Sequence, residues 1–256
     1  MTQAQTVPLR SVSKEEWDLR VELAACYRLF VRYGWTDGIF THLSARAPGV
    51  ENQYLMNPFG LMFSEITASN LIKVDFDGNV IAGDYPYNDA GHAIHTSVLK
   101  ARPDVNVVLH SHTRAGMAVS CMKEGLLPLS QQAGEIVHLV SYHKYGIADE
   151  SNPEECEALA RDMDDKWLMV MHNHGLLSAG RNVAEAFYLL LTLENACKVQ
   201  VDVMASRAEM IFPDPEIVKQ LGSWYEPNKS GIPDSVLRSW EANVRMLDAQ
   251  DQSYKQ

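Results

Sequence analysis

At 256 residues, 46% hydrophobic and 21% charged, the chain has the make-up of a globular protein long enough to bury a sizeable core. Its formal charge of −11 argues against nucleic acid or an anionic membrane surface as the main partner. Cys26, Cys121, Cys156 and Cys197 lie far apart with no C-x-x-C pair, which predicts reduced thiols in a cytoplasm and excludes a cysteine metal site or a disulfide frame.

In chain order, the opening MTQAQTVPLR has no apolar signal-peptide segment and no 18-residue apolar run follows, so neither secretion nor a membrane span is expected. Residues 13–34 read as a helix. Ser13 and Glu16 form a capping box, Leu19, Leu23, Cys26 and Phe30 share one stripe, and Gly34 is a C-cap. Short runs at 42–47, 53–56 and 72–76, then Val80-Ile81 after an Asp77-Gly78 turn, predict antiparallel sheet. Asn88-Asp89 offers an N-cap for a helix over 92–101 that must stop before Pro103. An apolar strand over 105–109 ends in His110-Ser111-His112 and leads to a helix over 115–122. The runs 135–140 and 167–171 read as two further strands flanking a helix opened by 152-NPEE-155. A long helix is predicted over 183–205. The tail, with Pro213, Pro215, Pro227 and Pro233, reads as an irregular arm with shorter helices. Early strands that pair through turns, set among helices, predict an α/β chain with a mixed sheet between helical layers. No G-x-G-x-x-G follows a strand, so a dinucleotide site is not expected.

The chemistry concentrates in the histidines. On a strand, residues i and i+2 face one side, so His110 and His112 present two imidazoles about 6–7 Å apart at the backbone, a spacing that suits one metal ion. In 170-VMHNHGLL-177 a strand end is again followed by two histidines, His172 and His174, before a glycine. A lone histidine at a strand end is ordinarily a hydrogen-bonded structural residue; two His-x-His pairs closing apolar strands point to metal instead. Three imidazoles with an open position suit zinc, and also manganese, cobalt or ferrous iron.

The run 101-ARPDVNVVLHSHTRAGMAVS-120, with 171-MHNHGLLSAG-180 and 57-NPFGLMFSEIT-67, resembles the class II aldolase/adducin family, over roughly residues 14–205. The resemblance implies a three-layer α/β/α sandwich around a mainly antiparallel central sheet. It implies a single domain over 1–256, with its core at about 14–205 and a Pro-rich C-terminal arm at 206–256. A homotetramer with sites at subunit boundaries is also implied, as is one divalent metal ion per subunit, zinc first, held by His110, His112 and His174. His172 falls outside the family's ligands.

The departures from that pattern bear on function. The sugar-phosphate aldolases of the family carry an acid/base glutamate nineteen residues before the first metal histidine; that position here is Gly91. Asp89 is the nearest carboxylate and His92 and His95 follow on the same helix, so His92 and Asp89 are the expected proton-transfer residues and His95 is read as architectural. Phe59 replaces a small hydroxyl donor in the phosphate loop, and Asp89-Ala90 replaces a serine pair. His42 aligns with a first-loop asparagine and Gln132 with a tyrosine acid on a neighbouring strand. His42, Phe59, Gln132 and Tyr145 are therefore the expected substrate contacts, with His138, His143 and Glu135 beside them or purely structural. Arg46, Lys73 and Arg114 are the cations a phosphate would need. The reading is a cytoplasmic, divalent-metal-dependent lyase (aldol cleavage or decarboxylation) on a small unphosphorylated keto or hydroxy acid, without nucleic-acid or membrane partners. Its rivals are an aldolase-like non-heme iron oxygenase, served equally by three histidines, and a non-catalytic adducin-like interaction module.

Overall fold

The structure is a computed structural model, and it describes residues 12–144, 146–147 and 151–256. Helix α1 (Lys14–Tyr33) leads into β1 (Leu43–Arg46), β2 (Gln53–Met56), β3 (Ile72–Asp75) and β4 (Val80–Ala82). Then come α2 (Asp89–Ala101), β5 (Val107–Ser111), α3 (Arg114–Ser120), α4 (Gln131–Ile136), β6 (Val140–His143), α5 (Pro153–Met163), β7 (Leu168–Met171) and β8 (Gly175–Gly180). Helices α6 (Val183–Ser206), α7 (Pro215–Gly222) and α8 (Asp234–Asp248) complete the described chain.

The strands form one sheet in the order β4-β3-β2-β1-β5-β8-β7-β6. Every pairing is antiparallel except β6 with β7, which is parallel. Helices α1, α3 and α6 cover one face, with α8 against α1 and α6, while α2 and α5 pack together on the other. This is the expected α/β sandwich with a mainly antiparallel sheet. The central strands β5, β7 and β8 are buried throughout, which is why they read as unbroken apolar runs and not as alternating ones.

Four local expectations change. The Ser13 hydroxyl caps the Glu16 N–H at 3.2 Å, but the Glu16 carboxylate does not return to complete a capping box. It is buried instead, 3.0 Å from Arg20 Nε and 2.6 Å from Lys73 Nζ. Residues 135–139 are helical, not strand: Ser130 caps α4 through Ala133 N–H, and the buried Ala133, Ile136 and Leu139 recur every three residues. Strand β8 had no recognisable pattern, because 175-GLLSAG-180 is small, uninterrupted and covered on both faces. The C-terminal arm is docked, with Ala68 N–H donating to Tyr254 O and Ser69 N–H to Gln256 O, both at 2.8 Å.

Candidate metal centre

The centre is assembled by strand register. Ser44 on β1 lies opposite Val108 on β5, and two residues further along each strand His42 lies opposite His110, whose N–H donates to His42 O at 3.2 Å. The pleat then places Ser44, His42, Val108 and His110 on the sheet face covered by α2. On the other side of β5, the turn from β7 to β8 brings His174 to the same sheet end. Two backbone features let that turn close. Asn173 takes a left-handed conformation at φ 57°, which asparagine tolerates. Gly175 admits no side chain, since a Cβ there would lie 2.4 Å from Ser111 O and 3.1 Å from the His112 ring.

His110, His112 and His174 converge: His110 Nε2 is 2.8 Å from His112 Nε2 and 3.2 Å from His174 Nε2. The opposite ring nitrogens settle what those atoms are. His110 Nδ1 lies 3.0 Å from Leu176 O and His112 Nδ1 lies 2.9 Å from Asp37 Oδ2, both pure acceptors, so each Nδ1 carries the proton. In a neutral ring so held, Nε2 is the atom left with a lone pair to offer a cation. Burial, then the neighbouring histidines, drives the His110 pKa well below its ordinary value, and burial followed by His112 and His143 lowers that of His174 to about 4. Both rings are thus neutral and ready to ligate at neutral pH. Nitrogens bound at about 2.0–2.1 Å to one tetrahedral ion sit roughly 3.3 Å apart, so the set, within 4.8 Å throughout, fits a divalent metal after the His110–His112 pair opens slightly and the widest separation closes.

His172 faces away: its Nδ1–H donates to Ser120 O at 3.1 Å and its ring stacks on Tyr142 with centroids 5.8 Å apart. His42 is brought to the centre, stacked on His110 with ring centroids 5.0 Å apart. His92 is not directed there by its hydrogen bond: Nδ1 pairs with the Tyr54 hydroxyl at 2.6 Å, over β2. It lines a separate cavity of about 590 Å³ between α2 and α5, with Phe76, Lys100 and Cys156. Asp89 is exposed at the start of α2, next to Ala90, which with His174, His143 and Glu155 walls a smaller cavity of about 180 Å³. Phe59 is half-buried, its N–H donating to Pro86 O at 2.8 Å. Gln132 is exposed on α4, a helix rather than the expected strand, and Tyr145 lies outside the described residues. His138 packs against Gly222 of the C-terminal arm, and His143 is buried between Asp162 and Glu155, each 2.8 Å away. Sequence reasoning missed Asp37, which orients His112 from a distant loop; no local pattern in 34-GWTDG-38 marks it.

Residues 21–201 match the Class II Aldolase and Adducin N-terminal domain. The chain belongs to the class II aldolase/adducin family. Within that family it is 42% identical to an aldolase II superfamily protein from Pseudomonas syringae, with a TM-score of 0.90 over 98% of this chain and 100% of that one. An L-fuculose 1-phosphate aldolase from Glaciozyma antarctica PI12 is 25% identical, with a TM-score of 0.83 over 99% of this chain and 98% of that one. Rat (Rattus norvegicus) alpha-adducin is 38% identical over 92% of this chain, which spans 34% of the adducin's length. Class II aldolases use a divalent metal, and the three-histidine cluster provides a place where one could be held.

Proposed function

We propose that the chain is a divalent-metal-dependent lyase that performs aldol cleavage or decarboxylation on a small unphosphorylated keto or hydroxy acid. The observation that carries this reading is the cluster of His110, His112 and His174, whose ring nitrogens converge within 4.8 Å of one another. A bound divalent ion would draw electron density from two adjacent substrate oxygens, so that the pair of a breaking C–C bond can rest on the neighbouring carbon. Three nitrogen ligands with positions left open favour zinc, with manganese, cobalt or iron as substitutes. Of the two proton-transfer residues expected from sequence, Asp89 precedes Ala90, which lines the small cavity with His174, and His92 lines the larger cavity between α2 and α5.

Preference for an unphosphorylated ligand follows from donors that are already engaged. The N–H groups of Asn57 and Phe59 bond to the Tyr27 hydroxyl and Pro86 O. Arg46 holds the carbonyls of Leu99 and Val105, and Lys73 holds Glu16. Arg114, exposed at the first turn of α3 just after His112, has no hydrogen-bond or ion-pair partner among the described residues and could meet a carboxylate. Exposed Phe40, Ile211 and Phe212 supply apolar surface for a homotetramer, and the four free cysteines suit a reducing cytoplasm.

The test is metal analysis of protein purified without chelator, followed by a keto- and hydroxy-acid screen with and without oxygen. The expected result is a divalent ion and oxygen-independent C–C cleavage. Turnover that requires iron and O₂ would make the chain an oxygenase, and a protein that takes up no metal would fit the adducin-type module. Sugar-phosphate cleavage with kcat/KM above about 10⁴ M⁻¹s⁻¹ would refute the preference for unphosphorylated ligands.

A further inference from the structure

Helix α2 passes the metal centre at Gly91, where the chain offers no side chain. The space is nevertheless filled. A Cβ built on Gly91 would lie 2.7 Å from Cδ2, 2.8 Å from Cγ and 3.1 Å from Nε2 of His42, so the imidazole of His42 lies directly on the helix backbone. The other face of that ring stacks on His110, centroids 5.0 Å apart and planes at 25°. His42 is thus clamped between a bare helix turn and a member of the metal triangle, and any side chain at residue 91 would have to evict it.

The ring's orientation is fixed by a buried chain. His42 Nδ1 lies 2.8 Å from His95 Nε2, and His95 Nδ1 lies 2.5 Å from Ser44 Oγ; all three residues are buried. This accounts for His95, four residues after Gly91 on the same face of α2, and for Ser44, two residues after His42 on the same face of the sheet. The far nitrogen, His42 Nε2, has no hydrogen-bond partner among the described residues. When His95 donates to Ser44 and His42 donates to His95, Nε2 is an acceptor; when the chain runs the other way, Nε2 is a donor. A triad that spends a buried histidine and a buried serine to aim one free nitrogen beside a metal centre is built for more than packing.

We propose that His42 is the proton-transfer residue of this centre, working from the space that Gly91 leaves open, with His95 and Ser44 as positioning residues. This inference rests on the metal-dependent lyase reading. In the cleavage direction the proton of a substrate hydroxyl passes to His42 Nε2. The electron pair of that O–H bond becomes the second bond of a carbonyl as the C–C bond breaks. The pair of the broken C–C bond stays on the carbon beside the chelating oxygens, and Nε2 returns the proton to that carbon. Atoms and electrons balance within the substrate, and no oxidant is consumed.

The probe is acetohydroxamic acid, a small bidentate oxygen chelator that gives up one proton when it binds a metal. Its binding to the Zn²⁺-loaded full chain is measured by calorimetry in two buffers of different ionisation enthalpy, which counts the protons released. For the wild type the proton is expected to stay on the protein, because the hydroxamate anion beside Nε2 offsets the burial that otherwise keeps the His42 ring neutral. For His42→Asn, about one proton per chelator should pass to the buffer and affinity should fall at least tenfold, while Zn²⁺ stoichiometry and the circular dichroism spectrum stay unchanged. Gly91→Ala, whose Cβ displaces the ring, should shift the proton count in the same direction with zinc still bound. Equal proton release from the wild type and His42→Asn overturns the proposal, as does failure of the zinc-loaded wild type to bind the chelator. A wild type that takes up no metal fails earlier and separately, and it removes the lyase reading together with this inference.

Discussion

His110-Ser111-His112 closes β5, whereas His172-Asn173-His174 forms the turn between β7 and β8. Both have the same spacing and both follow an apolar strand, yet the first pair delivers two rings to one point and the second delivers one. Extended backbone explains the first. The pleat puts His110 and His112 on the α2 side, and buried Ser111 falls between them on the other face. In the second, the left-handed Asn173 breaks the alternation, so His174 swings toward His110 while His172 turns to Ser120 O and the Tyr142 ring. An i, i+2 histidine pair is a chelate only where no left-handed residue interrupts the backbone between them.

The comparison can be broken most forcefully at His110. In His110→Ala the stabilisation by Zn²⁺ should vanish, whereas the wild type at one hundred times Kd should gain about 2.7 kcal/mol, roughly 5–10 °C in Tm. Thermal melts with and without zinc decide it, and an undiminished shift in His110→Ala would remove that ring from the ligand set. Acid should act next. His174 is held at about 4 by burial and its neighbours, below the ordinary 6.5, and His110, His42 and His95 are lowered well below it for the same first reason. A lowered histidine stabilises the fold above its unfolded value and loses that contribution as pH falls. Metal-free protein should therefore lose stability from about pH 6.5 toward pH 4, on the order of 3 kcal/mol for His174 alone, in urea melts across that range. A flat profile would contradict neutral His110 and His174.

Smaller effects sharpen the contrast. Gly175→Ala drives a methyl into Ser111 O and should cost about 1–3 kcal/mol in denaturant melts, because the turn carrying His174 must retreat. Asp37→Asn keeps the shape but weakens the acceptor for His112 Nδ1–H, so zinc affinity should fall about 10–100-fold by competition with a chromogenic chelator. His172→Ala should cost only about 1 kcal/mol, for one hydrogen bond and one ring contact, and leave zinc affinity unchanged. A tenfold loss of affinity there would merge the two pairs that the structure separates.

Much of this fold could be read along the chain. Helix α1 with Ser13 and Gly34, helix α2 after the Asn88 cap, and the runs that became β1 to β3 carry local signals, and the structure places their ends within three residues. His110 and His112 were also legible as a candidate metal pair from strand periodicity, whereas His174 was singled out from His172 only by the family resemblance. The rest depends on partners remote in sequence. Strand β8 hides because burial on both faces erases alternation, and 135–139 looks apolar enough for a strand until Ser130 starts a helix ahead of it. Asp37 is 75 residues from His112, and the eviction of any side chain at residue 91 by His42 is visible only once β1 is laid against α2. His92 was expected to carry a proton and His95 to be architectural; the strand each reaches, β2 for one and β1 for the other, is visible only in the structure.

The central claim is one divalent ion held by His110, His112 and His174 and by no fourth histidine. Titration of metal-free protein with Co²⁺, followed by visible absorption, addresses it directly. The account predicts one equivalent per chain, a spectrum of nitrogen and oxygen donors without thiolate bands, and the same titration in His172→Ala but none in His110→Ala or His174→Ala. Absence of uptake by the wild type, or uptake of equal strength by His110→Ala, would contradict it.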